Sequence, residues 1–399
     1  MSIETILDSI FAKLPCISKP QQKFLRQLFA VLLGRQGRAN FENMSRYTQN
    51  APITFRRQFD KALDWLGFNR ACIDFTQGHY IGLIDCSFIP KAGEHTFGLA
   101  KFWSSCAGKA QKGLEISVLA CVNVATKACF ALDVTQTPPA LDKSTDKPRP
   151  YTRLSFYLEQ LSDCLPSLPE LVYWVGDGFY AKTEVFDLLC HHKRHLISRL
   201  RSDANLYHLW TKGRQVGQRG PTRRYDGKVD FTDLSRWVEV GKHPDHEHIT
   251  LYSLPLWAKG FARTLRVVLL YNTRTKQSVL LASSDVAQSA TQIAHWYCLR
   301  FQIELLFRDA KMFCGLTHCQ SRNEMRLDYH FNASLSGVNL ARLVLAADPT
   351  LSGSMNALVR RQTGERIWSV IYEQLSPQSR HELIKPDGSC WQFWTAKAA

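Results

Sequence analysis

No run of about 18 consecutive apolar residues occurs anywhere in the chain, so no segment reads as a membrane-spanning helix. The opening residues, Met1-Ser2-Ile3-Glu4-Thr5, lack the basic start and apolar core of a secretory signal. Paired zinc-ligand spacing is missing too. Cys314, His318 and Cys319 fit no standard pattern and have no second ligand pair nearby. No internal repeat is visible. The 12 cysteines are scattered, several inside apolar stretches such as those around Cys121 and Cys129. They read as reduced core thiols of a cytoplasmic protein and not as a disulfide framework. Acidic residues are in deficit as well: 35 Asp plus Glu stand against 50 Lys plus Arg, a net charge of +15. Such an excess favours a polyanionic partner, nucleic acid or an anionic membrane; nucleic acid is the partner expected, with no membrane.

What is present is a globular composition, 45% hydrophobic and 21% charged, over 399 residues. Two or three domains are expected at that length. One stretch organises the rest. Tyr297 to Lys311 contains no Pro or Gly and is bounded by Gly315, which predicts a helix. Tyr297, Arg300, Glu304, Arg308 and Lys311 fall within an arc of about 80° at helical pitch. Leu299, Ile303, Leu306 and Ala310 lie opposite. The front therefore carries one carboxylate among three cations and a phenol. An ordinary solvated face with i,i+4 ion pairs would look the same, so other residues must decide its role.

Two aspartates bear on that choice. His79 to Ile84 is an apolar run ending in Asp85, and Leu171 to Gly176 is another ending in Asp177. Runs this apolar read as buried central strands. An acid at the end of such a strand is costly unless it is paired or holds a metal. Either acid alone could be a turn or a helix cap. Together with Glu304 they suggest a carboxylate cluster for a hard, oxygen-seeking ion, Mg²⁺ or Mn²⁺.

The pattern Tyr297-x2-Arg300-x3-Glu304-x6-Lys311 resembles the signature of the insertion-sequence 4 family of bacterial DDE transposases. Asp85 and Asp177 lie upstream where that family's two aspartates belong. Thr96–Trp103 and Gly113–Ser117 also look like these proteins, and the resemblance spans roughly residues 79–340. It implies metal-dependent cleavage at transposon ends and strand transfer into target DNA. Asp85, Asp177 and Glu304 would be catalytic and would hold two Mg²⁺ or Mn²⁺ ions per active site. Tyr297, Arg300, Lys311 and Arg308 would bind DNA. It further implies double-stranded DNA as partner, a homodimer in the DNA complex, and a cytoplasmic, nucleoid-associated protein. After Asp177 this chain reads Gly178-Phe179-Tyr180, where the family carries an Arg-containing sequence.

Along the chain, residues 1–76 are helical by period and are expected to form a DNA-binding domain. Phe41 to Tyr47 and Ile53 to Leu66 resemble a helix-turn-helix whose second helix bears Arg56, Arg57 and Lys61. Residues 77–200 read as strands at 79–89, 96–104 and 114–133, a Pro-rich charged loop from Thr137 to Pro150, then helix, strand, helix, strand. That is the order of a ribonuclease H-like fold. The expected class is mixed α/β, with residues 291–345 completing the catalytic domain. Residues 201–290 form a β-rich insertion, with strands at Ile249–Leu256, Thr264–Tyr271 and Ser278–Ser283. Its basic stretch carries Lys212, Arg214, Arg219, Arg223 and Arg224, a candidate clamp on the DNA backbone or else a solvated loop. Residues 346–399 are expected to be short helices with aromatics at Trp368, Trp391 and Trp394. Some members of the family this chain resembles pass through a DNA hairpin with a base flipped onto an aromatic, a role the resemblance leaves open to Trp210, Trp237, Trp257 or Tyr271. A nuclease of the same fold without strand transfer, or a transposase-derived DNA-binding protein without chemistry, stays open as an alternative.

Overall fold

The computed structural model describes residues 2–104, 107–138, 152–213 and 223–375. The Thr137–Pro150 loop beyond residue 138, Arg214, Arg219, Trp391 and Trp394 therefore lie outside the described residues. Five helices come first: α1 (Ile3–Lys13), α2 (Lys19–Gly34), α3 (Phe41–Ser45), α4 (Pro52–Phe59) and α5 (Trp65–Ala71). The helix expected over 53–66 stops at Phe59. The Asp64 side chain accepts from the Gly67 amide and starts a new helix instead. Lys61 thus sits in the turn between α4 and α5 and not on a helix face.

Four strands follow: β1 (Tyr80–Pro90), β2 (Ala100–Ser104), β3 (Lys109–Asn123) and β4 (Cys129–Gln136). The single strand expected over 114–133 is in fact a hairpin. Asn123 Oδ1 accepts from the amides of Ala125 and Thr126, both at 3.0 Å, and Lys127 takes a left-handed φ of 60°. Then come α6 (Arg153–Cys164), β5 (Tyr173–Gly176), α7 (Thr183–His191) and β6 (His195–Leu200). The insertion adds β7 (Leu206–Leu209), β8 (Tyr225–Lys228), β9 (Val238–His243), β10 (His246–Ala258), β11 (Arg263–Asn272) and β12 (Ser278–Ser283). The chain ends, as described, in α8 (Ala290–Leu299), α9 (Phe301–Met312), α10 (Glu324–Ala347) and α11 (Met355–Gln374).

All 12 strands belong to one sheet, in the order β2-β3-β1-β5-β6-β12-β11-β10-β7-β8, with β4 on β3 and β9 on β10. β1 and β3 pair antiparallel, as do β3 and β4, whereas β1, β5 and β6 run parallel. This is a mixed α/β fold with a large open sheet, consistent with a ribonuclease H-like core. The outer edge of β4 is covered by α10. Asn339 both accepts from the Ala131 amide and donates to its carbonyl, each at 2.9 Å, and Asn332 donates to Val134 O at 2.9 Å. Asn69 of α5 donates to Leu132 O at 3.0 Å. Side-chain amides thus satisfy backbone groups that would otherwise offer a free edge. The hydrophobic core is contiguous, reaching from Ile3 and Leu28 in the helical start through β1 and β3 to Leu340 and Leu358. Among the described residues no helix is long and apolar enough to cross a membrane.

Candidate active site

Gly82 determines how the first two acids meet. It pairs with Trp174 across the parallel β1–β5 ladder, and a Cβ at Gly82 would sit 2.5 Å from the indole ring. Only a hydrogen leaves room for the fully buried Trp174. With that register, Ile84 stands beside Gly176 as the last pair of the ladder. Asp85 and Asp177 each follow by one residue, so the two acids emerge side by side. Asp177 Oδ1 accepts from the Phe179 amide at 2.9 Å, and its carbonyl accepts from Ser198 Oγ at 2.7 Å, which fixes the turn leaving β5.

The third acid arrives on α9, which packs against β1. The helix expected over Tyr297–Lys311 is present as α8 and α9, separated by a tightened turn at Arg300. The Arg300 amide donates to Tyr297 O and the Ile303 amide to Arg300 O, both three-residue steps at 3.1 Å. Arg300 remains right-handed there, so the polar stripe continues across the junction. Its guanidinium spans two elements: Nη1 donates to Asp85 Oδ2 at 3.1 Å and Nη2 to Glu304 Oε1 at 2.8 Å.

The electrostatics follow from this crowding. The Asp85 carboxyl is pushed up to about 6, chiefly by burial; Asp177 and Glu304 add to the rise, while Arg300 and the Cys86 amide oppose it. Burial works against the Arg300 charge, yet Asp85 and Glu304 outweigh it and hold its pKa above the ordinary value. Burial also raises the Tyr297 phenol, with Arg300 and Arg199 pulling the other way and Asp177 adding to the rise. Arg199 on β6 lies near enough for its charge to act on that phenol, and sequence reading did not single it out. The usable signal was its place in the strand that pairs in parallel with β5.

Asp85, Asp177 and Glu304 offer carboxylate oxygens only, in a place where added positive charge is favourable. That donor set fits a hard divalent cation. Among the described residues no three His, Cys, Asp or Glu side chains are arranged to hold a metal, and the Arg300 guanidinium supplies the positive charge between Asp85 and Glu304.

The remaining residues singled out from sequence are dispersed. Lys311 is half-buried in the last turn of α9. Arg308 is exposed and pairs with the buried Asp309 at 2.9 Å. Arg56 pairs with Glu42 at 2.8 Å, and Arg57 and Lys61 are exposed. In the insertion, Lys212 is exposed, as is Arg224. Arg223 pairs with Asp226 at 3.1 Å and lies 4.4 Å over the Trp210 ring. Trp237 is buried, whereas Trp257 and Tyr271 are half-buried. His318, weighed above as a metal ligand, accepts from the Ala39 amide through Nδ1 at 3.2 Å.

A model of the family described as "Transposase DDE domain" matches residues 76–331, well over half of the chain. Among curated proteins none matches. Among solved structures, Ciona intestinalis endonuclease V in complex with a 24mer DNA containing an inosine followed by a ribo-adenosine is 13% identical. The match covers 67% of this chain and 88% of that one, with a TM-score of 0.27. Human ENDOV is 10% identical, over 72% of this chain and 97% of that one, with a TM-score of 0.25. Similarity at that level adds nothing to the assignment.

Proposed function

Because the chain belongs to the transposase DDE domain family, we propose that it is a DNA transposase of the insertion-sequence 4 group. It cleaves at transposon ends and joins the freed end to target DNA. The observation that supports this reading is the Arg300 guanidinium, which pairs with both Asp85 and Glu304, together with a register that ends β1 and β5 next to Asp85 and Asp177.

Asp85, Asp177 and Glu304 would hold two Mg²⁺ or Mn²⁺ ions. When bound, such ions supply charge to the attacking and leaving oxygens of an in-line displacement at phosphorus. Arg300, Lys311 and Tyr297 bind the scissile strand by charge and hydrogen bonds. Arg308 and, at the periphery, Arg56, Arg57, Lys61, Lys212, Arg223 and Arg224 add contacts to the DNA backbone, with the helical residues 1–76 and the insertion at 201–290 acting as DNA-binding regions around a catalytic core of 77–200 and 291–345. Double-stranded DNA is the partner, held by a homodimer in the cytoplasm.

The test is a strand-transfer assay with the full chain, Mg²⁺ and a precut duplex carrying the terminal sequence of the element that encodes it. Joined product is expected. Cutting without joining would make it a nuclease of the same fold. Binding with neither step would make it a DNA-binding protein that has lost its chemistry.

A further inference from the structure

Three segments far apart in sequence meet beyond the acids: Arg38 after α2, the β1–β2 loop starting at Lys91, and the loop from Thr317 to Arg322 between α9 and α10. They line an open cleft of about 550 Å³. Lys91 braces it, donating through Nζ to the carbonyls of Cys319 and Ser321. The Phe97 amide donates to Arg322 O at 3.0 Å, and the Ala39 amide to His318 Nδ1 at 3.2 Å. His318 therefore carries its proton on Nε2. Burial lowers the His318 pKa, and Arg35 and Arg38 add to that. Burial likewise lowers the Lys91 pKa, with Arg322 repelling it and Cys319 opposing both.

The cleft gathers positive charge without a counter-charge. No Asp or Glu lines it, and no carboxylate among the described residues pairs with Arg38, Lys91 or Arg322. The adjoining hollow, which shares Cys319, Gln320 and Arg322, is different. Its Arg56 is neutralised by Glu42 and its Arg326 by Asp60. Like charges held together and left unpaired repel one another, and an anion entering the cleft would relieve that repulsion.

Its position points to a particular anion. β1 and α9 both run from the acids toward it: Asp85 lies six residues before Lys91, and Glu304 lies in the first turn of the helix that leads to Gly315. At strand rise the cleft is about 20 Å from Asp85, or about six base pairs of duplex.

We infer that this cleft is a second phosphate-binding site, made by Arg38, Lys91 and Arg322, which grips the backbone of duplex DNA beyond the end of α9 that lies away from the acids. The inference rests on the reading of the protein as one that acts on DNA. The full chain is titrated with a duplex of about 40 base pairs over a range of salt concentrations, as wild type, as Arg38→Gln with Arg322→Gln, and as Arg38→Lys with Arg322→Lys. Loss of two phosphate contacts should lower the slope of log K against log salt by about two and weaken binding on the order of tenfold or more. The lysine pair should keep most of the wild-type slope. If the glutamine pair does not fold, Arg322→Gln alone should lower the slope by about one. Wild-type slope and affinity in folded glutamine variants would overturn the cleft and leave the DNA reading intact. A wild-type protein that does not bind the duplex would overturn both.

Discussion

Arg300 Nη1 lies 3.1 Å from Asp85 Oδ2, joining a helix to a strand 215 residues earlier in the chain. The same guanidinium holds Glu304. Its charge is thereby committed to acids that would otherwise be crowded and unpaired, which separates this arginine from a solubilising surface cation.

Replacing it tests that commitment. Arg300→Ala should cost on the order of 1–3 kcal/mol above neutral pH, because a largely buried carboxylate loses its partner. DNA cleavage should fall tenfold or more. Arg300→Lys should restore stability in part and cleavage poorly, since one point charge cannot fork to two acids. Chemical denaturation and a cleavage time course check the two halves. Wild-type values in both would return the stripe to an ordinary solvated face.

The pH dependence has a definite sign. The Asp85 carboxyl stands at about 6 in the folded chain against 3.8 for the free group. Its favourable contribution is complete below about pH 4 and is lost as pH rises through about 6. Asp85→Asn should therefore be the more stable protein at pH 8 in chelator, by on the order of 1–3 kcal/mol. The gap should close toward pH 4. Melting curves across that range decide it, and a gap that widens in acid contradicts the assignment.

Metal dependence has a readout that needs no catalysis. Mg²⁺ or Mn²⁺ should raise the melting temperature of the wild type, as any ligand confined to the native state does. Asp85→Ala, Asp177→Ala and Glu304→Ala should each lose that rise and abolish cleavage while still binding DNA. Any one that still cleaves at a tenth of the wild-type rate leaves the cluster. Excess EDTA should stop the wild-type reaction.

Gly82→Ala would press a methyl against the Trp174 indole, where the added Cβ meets the ring at 2.5 Å. A cost of about 1–3 kcal/mol is expected from overpacking. Combined with Trp174→Leu, the two costs should sum to less than their separate values, because the second change empties the space the first invades. Strict additivity in urea denaturation would show that the clash does not exist.

Much of this was legible in the residues. The apolar runs before Asp85 and Asp177 carried strand and acid together, because a central strand shows its burial directly. The stripe from Tyr297 to Lys311 survived the tightened turn at Arg300, because right-handed backbone preserves the angular order. The longer insertion strands, β10 to β12, were expected from their β-like runs. β7 and β8 are four residues each, too short for a period to show, and β9 is largely exposed. The β3–β4 hairpin was missed because its turn uses Lys127 in place of a glycine. Arg38, Lys91 and Arg322 come from three distant segments, and no linear pattern joins them. Their relation is created only by folding.

The insertion is joined to the core by hydrogen bonds along β12 and β6, from Leu280 opposite Leu200 to Ser283 opposite Ile197. In mechanical terms this makes a lever welded to its fulcrum. If the insertion holds DNA, as proposed, tension on that DNA would load the ladder in shear and pass through β6 and β5 to the strand ends bearing Asp177 and Asp85. On the proposed reading, the sheet would be a beam that carries force toward the acids along its hydrogen-bonded ladders.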